Sequence, residues 1–377
     1  MELIVLGGSF DPPHAAHLAL LSAGLAAKPK TRAVVVPAWQ SPLKGLPSAT
    51  AAQRLRLSRA ALGTLPAGLR RRVVLDPWEA RRGQVTYSYE TLRRLKARNP
   101  GADLLFLAGA DSWATLPRWK RPDELARLCR FVVGRRPGAP APRSARTLPG
   151  LEVLPGTFPD LSSTGLRARL LCAEEPPEIP RAVRGLIRSG GLYGGAIRRR
   201  LAAELSAPRY HHTLAVARMA AGLARRHGLD EERAALAGLL HDCGRSVPVH
   251  RMVAECRARR LRIPAFEETA RHAPILLHAY LSEDRARRDY GVRDPAVLSA
   301  VRKHTLGDAV MAALDRLVYA ADACSEDRGF PEAALIRKKG LANLDDGYRE
   351  AARLKLTHVL REEGWLHPLA VSVWNAV

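Results

Sequence analysis

Acidic residues are scarce in this 377-residue chain, 37 Asp+Glu against 60 Lys+Arg, and the shortage is uneven. Residues 1–194 carry 30 basic and 14 acidic side chains, whereas residues 195–377 carry 30 and 23. A positive excess of this kind attracts phosphates, on nucleotides or on nucleic acid. Part of it is compositional drift, because arginine far outnumbers lysine and the whole chain is rich in Ala, Arg, Leu and Pro. Aromatics are also few, 5%, and none interleave with the basic stretches, which argues against a stacking platform for single strands. The five cysteines, Cys129, Cys172, Cys243, Cys256 and Cys324, form no C-x-x-C pair. They are scattered, with no secretory segment ahead of them, so a reduced, cytoplasmic protein is expected. No uncharged apolar run approaches the roughly 20 residues that span a bilayer. The opening Glu2-Leu3-Ile4-Val5-Leu6 is too short for a signal segment, so neither export nor membrane insertion is expected.

The length predicts two domains, each able to bury a core. Short apolar runs at 3–6, 33–36, 73–75, 104–107 and 131–133 have the pattern of buried parallel strands. Amphipathic stretches at 50–62 and 87–98 lie between them, and this alternation implies a doubly wound α/β parallel sheet. Residues 136–149 hold five prolines or glycines among basic residues and read as a surface loop. Another break falls at 174–180. The segment Ile187-Arg188-Ser189-Gly190-Gly191-Leu192-Tyr193-Gly194-Gly195 marks the domain boundary, giving domains 1–194 and 195–377. Beyond it the strand signature stops. Residues 208–227, 230–241, 294–304 and 310–324 place apolar side chains three and four apart, with Gly228 and Asp294-Pro295 as stop and start signals, so the second domain is expected to be all helical.

The first strand runs into Gly7-Gly8-Ser9-Phe10-Asp11-Pro12-Pro13-His14-Ala15-Ala16-His17, where a helix begins. A strand, a glycine turn and a helix start together make an anion site, because glycine admits a phosphate to the backbone and the free N–H groups point outward. His14 and His17 share one face of the first turn. Far downstream, Leu161-Ser162-Ser163-Thr164-Gly165-Leu166-Arg167 offers hydroxyl caps to another helix, with an arginine one turn in. Joined in this order, the segments resemble the nucleotidyltransferase superfamily with H-x-G-H and S-S-T-x-x-R motifs, and more narrowly the bacterial nicotinate-mononucleotide adenylyltransferases. The resemblance covers about residues 1–194 and includes Val36-Pro37-Ala38-Trp39-Gln40-Ser41-Pro42-Leu43-Lys44, Thr86-Tyr87-Ser88, Gly109-Ala110-Asp111-Ser112 and Leu116-Pro117-Arg118-Trp119. It implies a Rossmann-like fold in which Gly7, Gly8, Ser9, Phe10, Asp11, Ser162, Ser163 and Thr164 border the bound nucleotide. His14, His17, Lys44 and Arg167 would hold the ATP phosphates, Asp111 would lie near the adenosine ribose, and Thr86 and Trp119 would face a pyridine ring. One departure is Ala16, which stands where the motif has glycine and adds a methyl at a close backbone approach. The implied reaction needs no deprotonating base, since the attacking phosphate is already anionic. In-line positioning and charge neutralisation by the histidines, the basic residues and Mg²⁺ would carry it.

In the second half, His241-Asp242 follows the apolar run Leu236-Ala237-Gly238-Leu239-Leu240, and Asp322 ends a similar run from Leu317. A carboxylate on an otherwise core helix needs a partner, because unpaired burial costs several kcal/mol or neutralises it. His212, His278 and His304 lie on three further helical stretches. A mixed His/Asp set suits a borderline divalent metal such as Fe, Mn or Zn. Order and spacing resemble the HD phosphohydrolase superfamily, and more closely the bacterial HD-domain symmetrical diadenosine tetraphosphate hydrolases, over about residues 198–377. The matching segments are Arg209-Tyr210-His211-His212-Thr213, His241-Asp242-Cys243-Gly244-Arg245, Leu276-Leu277-His278, Lys303-His304-Thr305 and Ala321-Asp322, with the tail from Trp365. The resemblance implies that His212, His241, Asp242 and Asp322 ligate Fe or another divalent transition metal, and that Arg209, Arg245, His278, His304, Thr305 and Arg328 line the nucleotide phosphates. Arg245 replaces the usual lysine, turning a point charge into a planar fork. His272 competes with His278 for the third motif, and the distance to Gly291-Val292 favours His278.

The resemblances imply a bifunctional enzyme. One half would condense ATP with nicotinate mononucleotide to nicotinate adenine dinucleotide and pyrophosphate, and the other would hydrolyse diadenosine tetraphosphate to ADP. Other readings remain open at this point. They are a transferase of the same superfamily acting on phosphopantetheine or a sugar phosphate, an HD module that senses nucleotide without turnover, and a basic nucleic-acid-binding protein.

Overall fold

The structure, a computed structural model, describes residues 1–43, 45, 47–135 and 151–377. Lys44 and the expected loop 136–149 lie outside the described residues. The chain divides into two compact units: Met1–Leu166 with Pro176–Tyr193, and Arg167–Glu175 with Gly194–Val377. No helix among the described residues is long and apolar enough to cross a membrane.

Among the described residues of the first unit, six strands form one sheet: β1 (Glu2–Gly8), β2 (Arg32–Pro37), β3 (Val73–Leu75), β4 (Asp103–Gly109), β5 (Cys129–Arg135) and β6 (Leu151–Thr157). They run in the order β3-β2-β1-β4-β5-β6, and every neighbouring pair is parallel. Both faces are buried. Leu3 and Val5 pack with Leu104 and Phe106 on one side, Ile4 and Leu6 with Leu105 and Leu107 on the other. Period-two side-chain direction plus cover on both faces explains why these strands are apolar without alternation. The order reverses direction between β1 and β4, and ligands of such sheets bind in the crevice beyond the carboxyl ends at that point. Gly7-Gly8 and Gly109 end the two strands there. Five strands match the apolar runs; β6 does not.

The second unit is helical. Ala207–Arg226, Glu231–Leu240, Pro295–Lys303 and Ala313–Cys324 share one core, in which Ala217, Ala220, Ala234, Ala237 and Ala321 are fully buried. Asp230 caps the second of these helices by accepting from the N–H groups of Glu232 and Arg233, and Asp294 caps the third from Ala296. The boundary expected at 194/195 has a complication: Arg167–Glu175 groups with the helical unit. Ala168, Leu171 and Cys172 are buried in the helical core, which accounts for it. Gly194 takes φ 84, and a Cβ there would lie 2.4 Å from Leu171 Cδ2, so this turn needs glycine.

Candidate functional sites

The turn after β1 is built mainly from backbone. Phe10 adopts φ 48 and its side chain is buried in the core. The Asp11 carboxylate accepts from the N–H groups of Ser48 (2.7 Å) and Ala49 (3.1 Å) and from the Tyr193 hydroxyl (2.9 Å). Both side chains, expected beside the nucleotide, are therefore engaged by the protein, and what this turn can offer a phosphate is its main chain. His14 caps the helix Ala15–Ala27 with extended backbone. Its N–H donates to His17 Nδ1 at 3.2 Å, and the two rings lie 3.8 Å apart. With Nδ1 accepting, the proton of a neutral His17 is carried on Nε2 as a donor.

Residues from far along the chain meet this turn. Ser163 Oγ donates to the carbonyl of Pro12 at 3.3 Å, and Ser162 Oγ accepts from the N–H of Gly165 at 3.0 Å, capping the helix Ser163–Leu171. Thr164 follows in the first turn of that helix. Arg167, expected on the ATP phosphates, is counted with the second unit, where its Nε and Nη2 donate to Glu232 Oε2 at 2.8 and 2.6 Å. Asp111 is exposed in the first turn after β4. Thr86 is buried, 3.5 Å from the carbonyl of Gln84. Trp119 is held edge-on against Phe106 and donates its indole N–H to Thr115 Oγ1 at 3.1 Å.

Arg54 is one residue that the sequence did not single out. It is 1% exposed, and its guanidinium donates to the carbonyls of Ser9 (2.8 Å), Ala38 (2.5 Å), Trp39 (2.6 Å) and Ala49 (3.1 Å). It thus ties together the turn after β1 and the segment after β2.

In the second unit four imidazoles converge with three carboxylates. The Nδ1–H groups of His241, His278 and His304 donate to the carbonyls three residues earlier, Gly238, Ile275 and Val301, at 2.7, 2.6 and 2.7 Å. His212 Nδ1–H donates to Asp327 Oδ2 at 2.7 Å. Each neutral ring therefore turns its Nε2 lone pair inward, the tautomer fixed as in metal-ligating histidines. His212 Nε2 lies 3.2 Å and His241 Nε2 3.9 Å from Asp322 Oδ1, while His278 Nε2 and His304 Nε2 lie 3.2 and 3.6 Å from Asp242 Oδ1. Ligand atoms of His212, His241 and Asp242 fall within 4.8 Å of one another, as do those of Asp242, His278 and His304, so Asp242 belongs to both groups.

The set fits a cation. His241 Nε2 is buried without a hydrogen-bond partner, and lone pairs facing carboxylate oxygens repel unless positive charge lies between them. Burial pushes His241 down to about 4 and lowers His278 and His304, which favours neutral rings able to ligate a cation. Burial alone would raise Asp242, but His241, His278 and His304 hold it well below the usual carboxylate range. For Asp322, burial is outweighed by Lys355 and then by His212. For His212, burial is outweighed by Asp322 and Asp327, and the imidazole is raised.

Cationic side chains surround the cluster. Arg209 Nη1 lies 2.7 Å from Asp242 Oδ2, Arg245 Nε 3.5 Å from Asp242 Oδ1, and Arg328 Nη2 3.0 Å from Asp322 Oδ1. Thr305 Oγ1 is 2.7 Å from His304 Nε2 and 3.1 Å from His278 Nε2. Arg209 and Arg245 also line a cleft of about 290 Å³ with Leu205, Val247, Met252 and Ile275. His272 stacks on Trp365 and is not among the grouped ligands. Asp327 and Lys355 belong to the cluster and were not singled out in the sequence. One is an exposed residue in the turn after Asp322, and the other is a single lysine on an ordinary amphipathic helix.

The cytidylyltransferase-like family matches residues 5–169, and the HD domain matches residues 209–327. Among curated proteins, the chain is 28% identical to a probable nicotinate-nucleotide adenylyltransferase/Ap4A hydrolase of Mycoplasma pneumoniae, over 85% of this chain and 87% of that protein. It is 26% identical to the Mycoplasma genitalium protein of the same description, over 92% and 95%. It is 36% identical to a probable nicotinate-nucleotide adenylyltransferase of Gemmatimonas aurantiaca, over 51% of this chain and 92% of that one.

Proposed function

We propose a two-headed enzyme, on the premise that the chain belongs to the nicotinate-nucleotide adenylyltransferase family, here extended by an HD domain. Residues 1–194 transfer the adenylyl group of ATP to nicotinate mononucleotide. A phosphate oxygen of the mononucleotide attacks the α-phosphorus, the α–β bridge breaks, and pyrophosphate leaves with its electron pair. The backbone N–H groups after β1 and at the Ser162–Ser163 helix start receive the phosphates, and His14 and His17 stabilise charge on the α-phosphoryl oxygens. Mg²⁺ accompanies the ATP. The hydrogen bond from Ser163 to Pro12 carries this reading, because it joins two phosphate-binding features that lie 151 residues apart in the chain.

Residues 195–377 hydrolyse diadenosine tetraphosphate at its central bridge to two ADP. His212, His241, Asp242 and Asp322 would hold one divalent transition metal, iron by preference, and Asp242, His278 and His304 would hold a second. The chemistry supplied by such an ion is a more acidic water and a polarised phosphoryl oxygen. Arg209, Arg245 and Arg328 neutralise charge on the departing nucleoside diphosphate, and the cleft beside Met252 accepts a nucleoside. The observation that carries this half is the inward turn of four Nε2 atoms on shared carboxylates. Both activities are assayed on the purified full chain. His17→Ala is expected to lower dinucleotide synthesis by two or more orders of magnitude and spare hydrolysis, and Asp242→Ala the reverse. Dinucleotide synthesis that survives His17→Ala intact defeats the first assignment.

A further inference from the structure

Resting on the metal-centre reading above, we infer that Lys355 is a positioning residue of that centre, selecting which oxygen of Asp322 faces the ligand cluster. Lys355 lies on the helix Leu344–Arg361. Its ammonium donates to Asp322 Oδ2 at 3.2 Å and to the carbonyl of His304 at 2.6 Å, and it sits 3.8 Å from the centre of the Tyr319 ring. The other oxygen, Oδ1, is the one near His212 and His241. Asp322 is thus held with one oxygen outward on a fixed cation and one inward, the geometry of a monodentate ligand. The same ammonium grips the backbone of His304, so one side chain holds both the Asp322 carboxylate beside His212 and His241 and a residue of the Asp242, His278 and His304 group. Its position over the Tyr319 ring adds a cation–π contact that helps to hold the ammonium in place.

Loss of an outer partner to a metal ligand typically costs about 10–100-fold in metal affinity. Charge alone predicts the opposite sign, because a fixed cation repels an incoming dication. The experiment is a calorimetric titration of Mn²⁺ into the metal-stripped full chain, comparing wild type, Lys355→Met and Lys355→Arg, with circular dichroism as a check on folding. Lys355→Met is expected to raise the Mn²⁺ Kd at least tenfold with an unchanged spectrum, and Lys355→Arg, which restores a cationic donor, to recover most of that loss. A Lys355→Met Kd within twofold of wild type, or tighter, overturns the inference. So does a rise in KM for diadenosine tetraphosphate at unchanged Mn²⁺ affinity, which would make Lys355 a substrate contact. Should Lys355→Met fail to fold, weak Mn²⁺ binding by a folded Lys355→Gln, recovered in Lys355→Arg, decides in favour, and wild-type affinity decides against. Wild type that binds no Mn²⁺ sinks the metal-centre reading itself, an outcome distinct from equal binding by both proteins.

Discussion

The Nε2 atoms of His278 and His304 stand 3.1 Å apart, with each Nδ1 proton given to a backbone carbonyl. Two neutral rings so arranged aim lone pairs at each other and at Asp242, and a bound ion relieves this. The wild-type chain is therefore expected to bind two Mn²⁺ per chain, and His304→Ala one. Titration stoichiometry checks this. A single ion in wild type would return His278 and His304 to the phosphate-lining role that their resemblance implies.

Glu79 gives a pH dependence in the first unit, away from any metal. Burial is the main cause that pushes its carboxyl from 4.5 to about 7, partly offset by the hydrogen bond from Thr91 Oγ1 at 2.5 Å. A carboxyl with a raised folded pKa holds its proton more tightly when folded. Below about pH 4.5 both states are protonated and nothing is lost. Between 4.5 and 7 the unfolded chain ionises first, so stability falls as pH rises, by about 3 kcal/mol at most. Denaturant midpoints of wild type and Glu79→Gln are expected to converge at acid pH and separate toward neutrality, with the variant the more stable. Parallel profiles would show that Glu79 titrates normally.

The contrast between β5 and β6 shows what was legible in the sequence. Phe131-Val132-Val133 is covered on both faces, so burial wrote an apolar run into it. Residues of β6 such as Glu152 and Val153 lie at a sheet edge, with Pro155 and Gly156 inside the strand and a register shift between Val133 and Arg135. An edge strand tolerates proline and needs no apolar run, so no period survived to be read. The candidate metal-site residues could be picked out because a histidine or aspartate inside an apolar helix conflicts with its surroundings. Lys355 and Arg54 raise no such conflict. Each reads as a basic residue on an amphipathic helix, and only tertiary packing buries Arg54 and brings Lys355 to Asp322.

Arg54 is expected to dominate the stability of the first site. Its guanidinium satisfies four carbonyls in the interior, and burial lowers its pKa while Asp11 favours the charge. Truncation leaves those acceptors dry, and loss of one partner from a buried charged network costs about 3–5 kcal/mol. Arg54→Met should lower Tm by several degrees and raise KM for ATP, and Arg54→Lys should recover only part, since an ammonium lacks the fork that reaches Ser9 and Trp39 together. Differential scanning calorimetry beside initial-rate kinetics tests both. Wild-type Tm in Arg54→Met would mean that the carbonyls find other donors.

Gly244 sets how closely Asp242 approaches His278. A Cβ at this position would lie 2.4 Å from the carbonyl oxygen of His278 and 2.7 Å from the nitrogen of Ser282, both backbone atoms that cannot swing aside, and the Gly244 N–H donates to Ser282 Oγ at 2.8 Å. Alanine must push the turn Cys243–Ser246 away from the helix His278–Arg288, stretching the 3.2 Å separation of Asp242 and His278. Overpacking of this kind costs about 1–3 kcal/mol. The larger effect is expected on the second ion proposed for Asp242, His278 and His304, so Gly244→Ala should lose one Mn²⁺ and most of the hydrolysis while dinucleotide synthesis persists. Metal analysis beside the two assays decides it: full occupancy and full hydrolysis in Gly244→Ala would mean that the close approach of turn and helix has no part in building the centre.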